Sequence, residues 1–411
     1  MKKILSAPMW LQIIVGLVLG LALGFVSPSA ADAVSPIGDI YLNLLKMLIV
    51  PLVFFSITNG ICQMSDGKQL RSVGGRIVVY YICSTAAAAV FGVTAAMITQ
   101  PGRDVTDFSA MAGEAAESAQ FNFIDNVVSW FPTNIVDAMA NANMLQIIVF
   151  CLFLGVALLA LGDKAAHITR FIEEGNAVML KITSYVIAIS PIGIFSLMAT
   201  MVSKISGAMM KEVLVFIATI DVTIVIFMLV FYPLVIKLIG KLSVITFFKN
   251  ISASMLVAFT TTSSAATLPV SIDVAKNRIG ADEQVYGFTL PLGNTCNMDG
   301  AAIQFSTICV FACNLFHLEL TPGRVLQFMF ISLMLSIGAA GVKGAGIVMS
   351  TIIISTLIGD AGLTLIPILA AVWPTLDPFA TCANNVGDLT GTTIVSKMMG
   401  LLDENIFNRQ N

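Results

Sequence analysis

Apolar runs of about 20 residues, the length a helix needs to cross the hydrocarbon core of a bilayer, follow one another along almost the whole chain. The first, Met9 to Val26, carries no charge, and others lie near 40–62, 77–100, 122–160, 170–200, 213–236, 284–316 and 361–400. The fourth is expected to be broken near Pro132, where polar residues interrupt it. With 57% of 411 residues hydrophobic, 11% charged and a mean hydropathy of +0.92, the chain is too apolar for a soluble domain. It reads as an all-α polytopic membrane protein, because in lipid the helix satisfies its backbone polar groups within itself.

Lys2 and Lys3 ahead of the first run, with small residues near Ser29 to Ala33, give the outline of a secretory signal. The run is longer than a signal core and many equals follow it, so it is assigned as a first membrane helix. Lys68, Arg71 and Arg76, then Lys164 and Arg170, then Lys237, Lys241 and Lys249 fall on the side of the N-terminus. Asp32, Asp39, Asp104, Asp107, Glu114 and Glu117 fall on the other. The positive-inside rule then predicts cytoplasmic N- and C-termini in a multi-pass protein of the cell inner membrane. A net charge of -3 without a basic block gives no reason to expect a nucleic-acid partner. The seven cysteines sit in apolar stretches without CxxC spacing and read as packing residues, outlining neither a disulfide framework nor a zinc site.

After Lys249 the pattern changes. Residues 251–272 carry no charge, yet their centre is Thr260-Thr261-Thr262-Ser263-Ser264-Ala265-Ala266, followed by Pro269. Residues 325–359 repeat the design around Ser336 to Gly346, with three glycines near the end of that stretch. Unwound backbone at membrane depth is tolerated only where protein buries it or a wet cavity receives it. Both segments are therefore read as re-entrant helical hairpins whose tips meet inside the protein. Each precedes a longer span, an inverted-repeat pattern that points to a binding site at the midplane. The fold expected is eight transmembrane helices plus two re-entrant helical hairpins.

Carboxylates inside spans are costly and are functional candidates. Asp299 is the only charge between Glu283 and His317, and Asp377 and Asp388 both lie in the last span. On a helix, Thr381, Asn384 and Asp388 fall within roughly 40° of Asp377, giving one stripe with two carboxylates, an amide and a hydroxyl. Tyr81, Ser84 and Thr85 form a second polar stripe at helical spacing in the third span. Hard oxygen donors suit a sodium ion or a proton. The two histidines, His167 and His317, lie outside these stripes and offer no transition-metal cluster. Ser263 and Ser264 have no histidine or lysine in a segment that obviously meets them, so enzymatic hydrolysis is not expected. A channel also places polar loops at mid-depth, but paired closed hairpins around an acidic site favour a carrier.

At these residues the chain resembles the dicarboxylate/amino acid:cation symporters, the glutamate-transporter family. Asn297-Met298-Asp299-Gly300 resembles that family's NMDG motif, and Thr262-Ser263-Ser264 with Thr267-Leu268-Pro269 is similar to its serine-rich first hairpin tip. Ser336 to Gly346 resembles the second tip, and Asn384 with Gly387-Asp388-Leu389-Thr390-Gly391 resembles the last helix. The resemblance implies a homotrimer in which a transport domain (77–121 and 204–411) slides against a scaffold (1–76 and 122–203). It further implies two or three coupling sodium ions. One would be held by Gly293, Asn297, Asn384 and Asp388, a second by Thr295, Ser336, Ile337 and Ala339, and a third by Tyr81, Ser84, Thr85, Asn297 and Asp299. Asp377 would take the substrate's amino group, and Asn384 and Ser264 its carboxylate. Ser263, Ala301, Val342, Gly346, Ala380 and Thr381 complete the implied pocket.

Acidic-substrate members of that family place an arginine one turn after the amino-binding aspartate or in the first hairpin; here those positions are Ala380 and Thr262. Ala301 stands where those members carry threonine. A second substrate carboxylate would be buried without a cation, so the expected substrate is a small neutral amino acid: serine, alanine or threonine. Lys343 in the second tip is the group through which an acidic amino acid or dicarboxylate would instead be carried, and Trp373, one turn before Asp377, either narrows the pocket or only packs.

Overall fold

The computed structural model describes residues 9–63, 71–105, 128, 130–141, 143–201, 207–338 and 345–408. Helix α1 (Met9–Val26) leads through Ser27 into α2 (Pro28–Gln63), which has proline in its first turn, where the missing N–H has no helical acceptor. Then come α3 (Arg71–Thr99), α4 (Ile135–Ala140), α5 (Met144–Leu161), α6 (Ala166–Ala188), α7 (Ser190–Met201) and α8 (Gly207–Leu238).

The break expected near Pro132 is present. Helix resumes at α4, capped by Asn134, whose side chain accepts from Val136 N at 2.9 Å, and again at α5. The span expected over 170–200 is divided at Ile189, with Pro191 in the first turn of α7. Proline at that point cannot donate to the carbonyl four residues earlier. Residues 146–188 form one apolar stretch of 43 residues. At about 1.5 Å per residue that is twice the hydrocarbon thickness, and the chain turns back within it at the short 3-10 helix Gly162–Ala165.

Helices α1, α2, α5, α6 and α7 pack into one body. Gly16 and Gly20 on α1 face the backbone carbonyls of Pro191 and Phe195; a Cβ at either would come within 2.3 Å of the oxygen, so the small-xxx-small spacing allows the helices to touch by backbone. Polar clamps set the register of α2 on α7: Tyr41 Oη lies 2.8 Å from Ser190 Oγ, and Ser196 Oγ accepts from Gly38 N at 2.9 Å and donates to Val34 O at 2.6 Å.

The second body contains α3, α8 and the elements that follow. In the first hairpin, α9 (Val244–Thr261) ends on Thr262 in the left-handed region at φ +51°, and Ser263 starts α10 (Ser264–Val274) by accepting from Ala266 N. Ser254 and Ser271, 2.9 Å apart, hold the limbs side by side. With 11 residues, α10 is about 17 Å long and cannot cross a bilayer, as expected for a re-entrant limb. The apolar stretch at 284–316 is two helices, α11 (Glu283–Cys296) and α12 (Asp299–Leu315), separated by the non-helical Asn297 and Met298. Nearly every residue of α12 is buried.

Helices α13 (Pro322–Gly338) and α14 (Ala345–Leu357) are the limbs of the second interrupted segment; both pack on α12, and both meet α2 of the first body. The intervening 339–344, and with them Ala339, Val342 and Lys343, lie outside the described residues. The 33-residue α15 (Ile366–Met398) runs through the middle of this body, surrounded by α8, α9, α11 and α12. The short α16 (Glu404–Phe407) ends the described chain. Among the described residues there is no sheet, only an isolated bridge between Ala281 and Leu402 that ties the start of α11 to the end of α15. Among the described residues seven helical stretches are long and apolar enough to cross a membrane, with four shorter apolar helices beside them: the protein is a polytopic helical membrane protein. Past the end of α3, the Asp104 carboxyl is held below the usual carboxylate range by Lys211, 2.9 Å away near the start of α8.

Candidate functional site

The break between α11 and α12 carries the densest polar cluster. Asn297 and Asp299 are fully buried, and opposite them α3 presents Ser84 and Thr85, buried as well. Ser84 Oγ lies 3.0 Å from Asn297 Oδ1, 3.1 Å from Asp299 Oδ1 and 3.2 Å from the carbonyl of Tyr81. Thr85 Oγ1 donates to Asp299 Oδ1 at 2.9 Å. Two hydroxyl hydrogens thus face three oxygen acceptors, one of them a carboxylate, a set of hard oxygens that could hold a cation. Both polar stripes read from the sequence meet at this point.

Tyr81 offers that cluster its carbonyl, while its side chain turns elsewhere. Its phenol donates to Thr289 O at 2.8 Å and leans on Gly293 beside Asp388. At Gly293 a Cβ would lie 2.4 Å from Asp388 Oδ1 and 2.5 Å from Tyr81 Oη, so only a glycine lets both oxygens crowd the α11 backbone. Asn297 connects the halves: its Oδ1 faces Ser84, and its Nδ2 donates to Asp388 Oδ1 at 3.0 Å. The two carboxylates are therefore linked through Asn297 and Ser84. Among the described residues no ion pair includes Asp299 or Asp388.

On α15, Thr381, Asn384 and Asp388 are buried and Asp377 is half-buried. Asn384 Oδ1 accepts from Gly300 N at 2.8 Å, which leaves its amide hydrogens to donate elsewhere. Ala380 is buried against α12, its backbone so close to Gly300 that a Cβ there would meet the Ala380 oxygen at 2.4 Å. Ala301 and Ser264 are buried nearby in the same body, and Ser263 caps α10 at the hairpin tip. Gly346, at the start of α14, lies against the ring of Trp373. Thr295 and Ser336 each donate to their own helix, at Leu292 O and Leu333 O. The Ile337 carbonyl and Cys296 Sγ both approach Gly60 of α2, so Ile337 and the end of α11 that carries Thr295 lie where the two bodies meet. The larger described cavity, about 870 Å³, lies elsewhere, between the feet of the first hairpin.

Residues 9–398 match the family described as the sodium:dicarboxylate symporter family. The chain belongs to that family. It is 30% identical over 400 residues to a C4-dicarboxylate transport protein of Bacillus subtilis (strain 168), covering 96% of this chain and 94% of the relative. It is 28% identical over 405 residues to a proton/sodium-glutamate symport protein of Geobacillus stearothermophilus, covering 96% and 95%. A C4-dicarboxylate transport protein of Ralstonia nicotianae is 31% identical over 374 residues, covering 89% and 87%.

Three further polar features of this symporter lie beyond the candidates read from the sequence. Tyr232 on α8 donates to Asp299 Oδ2 at 2.9 Å and lies 2.8 Å from the carbonyl of Ala383, so a third helix faces the buried carboxylate. The only signal in the sequence is a Tyr-Pro pair inside an apolar span. Asn385, next to the expected Asn384, points the other way: it accepts from Ser254 Oγ at 2.8 Å and donates to Ser271 Oγ at 2.6 Å, pinning both limbs of the first hairpin to α15. Asp221, within the apolar run of α8, is a further carboxylate at membrane depth, half-buried.

Proposed function

We propose that this family member is a sodium-coupled symporter that imports a small neutral amino acid, serine, alanine or threonine. Coupling by a cation is supported by the excess of acceptors around Asn297 and Asp299 and by Asp388 beside it, whose partners are all neutral. Sodium is the cation named by the family. The neutral substrate rests on one observation: residues 251–272, 284–316 and 345–396, which build the first tip, α12, α14 and the stripe of α15, contain no lysine or arginine, and Lys343 is the one such residue in the second tip. A substrate α-carboxylate has Asn384 and the hairpin tips, and its amine has Asp377, whereas a second carboxylate would have no cation from these helices.

The named relatives carry C4-dicarboxylates or glutamate, and Lys343 is the group that would serve such a substrate here. One experiment separates the readings: uptake of labelled serine, alanine, threonine, aspartate, glutamate and succinate into proteoliposomes, with and without an inward sodium gradient. Sodium-dependent uptake of a neutral amino acid with little competition by succinate is expected; uptake confined to acidic substrates would refute the neutral reading.

We further assign α1, α2 and α4–α7 to a scaffold and α3 and α8–α16 to a transport domain that moves past it as an elevator, in a homotrimer of the inner membrane. The division of the packing into two bodies supports this, as does their contact through α2 against α13 and α14.

A further inference from the structure

Trp373 is 4% exposed, and its indole Nε1 has no acceptor among the described residues. Buried indole N–H groups are ordinarily hydrogen-bonded. The ring is held in place by α14. Of its atoms, Cζ2, Cη2 and Cε2 lie nearest Gly346, where a Cβ would sit 1.9 Å from Cζ2. Cε2 and Cζ2 adjoin Nε1, so the edge that carries the N–H is the one turned toward the start of α14 and the second hairpin. A glycine at 346 is what lets the ring lie there, and the contact prevents it from swinging further. Trp373 also continues the α15 stripe: it lies one helical turn, about 6 Å, before Asp377, and Asn384 lies about 10 Å beyond Asp377 on the same side.

We infer that Trp373 is a specificity-determining residue, a fixed donor that closes the side-chain end of the pocket and takes the hydroxyl oxygen of serine or threonine. This inference rests on the neutral amino acid reading above. The order along α15 matches the substrate: carboxylate at Asn384, amine at Asp377, short side chain at Trp373. A hydroxyl oxygen satisfies the orphaned N–H, whereas an alanine methyl leaves it without a partner, so serine is preferred to alanine. The immobile ring also limits the length of side chain that fits.

The test compares wild type with Trp373→Phe, which keeps an aromatic ring and removes the donor, by measuring half-saturating concentrations of serine and alanine in proteoliposomes. A preference of wild type for serine that falls about five- to thirty-fold in the variant, by weaker serine binding with alanine little changed, is expected. An unchanged serine-to-alanine ratio in an active variant would overturn the role of Trp373 while leaving the neutral reading intact. Uptake of acidic substrates alone would overturn both. A second measurement does not depend on that variant folding. With Trp10 and Trp130 replaced by phenylalanine, Trp373 is the remaining tryptophan, and its emission is expected to shift on adding serine and to respond less to alanine. Identical responses to the two at saturation would also overturn the inference.

Discussion

Replacing Gly293 with alanine tests the proposed ion site without removing a polar group. The new Cβ would stand 2.4 Å from Asp388 Oδ1 and 2.5 Å from Tyr81 Oη, whereas ordinary contact begins at 3.4 Å. One or both oxygens must therefore retreat by about 1 Å, a distance that takes a ligand out of a metal's coordination shell, where tolerances are about 0.2 Å. Losing one charge-assisted contact costs about 1.5–3 kcal/mol, which corresponds to a rise of about ten- to 150-fold in half-saturating sodium. The measurement is initial serine uptake by proteoliposomes against external sodium, with thermal unfolding of the detergent-purified protein as a control for folding. A folded Gly293→Ala protein whose sodium half-saturation stays within twofold of wild type would refute the placement of Asp388 and Tyr81 at a cation site.

Two further outcomes are expected. Asp388→Asn removes a formal charge while keeping the shape, and sodium dependence should weaken strongly; unchanged sodium affinity would show that Asp388 is not an ion ligand. Asn385→Ala breaks both bonds that pin the first hairpin to α15 and leaves Ser254 and Ser271 only each other and their own helix as partners, so a loss of about 1–3 kcal/mol in stability is expected. Ser254→Ala in the same background should then add much less than it does alone, and full additivity in the double-mutant cycle would rule out a shared network.

The membrane fold follows from the sequence alone, because the length of an apolar run and its freedom from charge are local properties and lipid admits few solutions. The same holds for the first hairpin: a hydroxyl-rich, uncharged centre cannot lie in lipid, and Thr262 and Ser263 form the turn and cap that such residues favour. Asp299, Asp388, Ser84 and Thr85 were legible as candidates for the same reason, since a polar side chain at membrane depth needs a partner. What the sequence could not supply was the identity of the partners. Tyr232 reaches Asp299 across 67 positions and Ser254 reaches Asn385 across 131, distances over which periodicity carries no information. The direction of Tyr81 was decided by the tertiary structure, because the crowding at Gly293 depends on how α3, α11 and α15 cross. Trp373 shows the same division. Its place on the stripe is fixed by helical spacing, but the contact that immobilises it comes from Gly346 on another helix, and packing alone brings the two together.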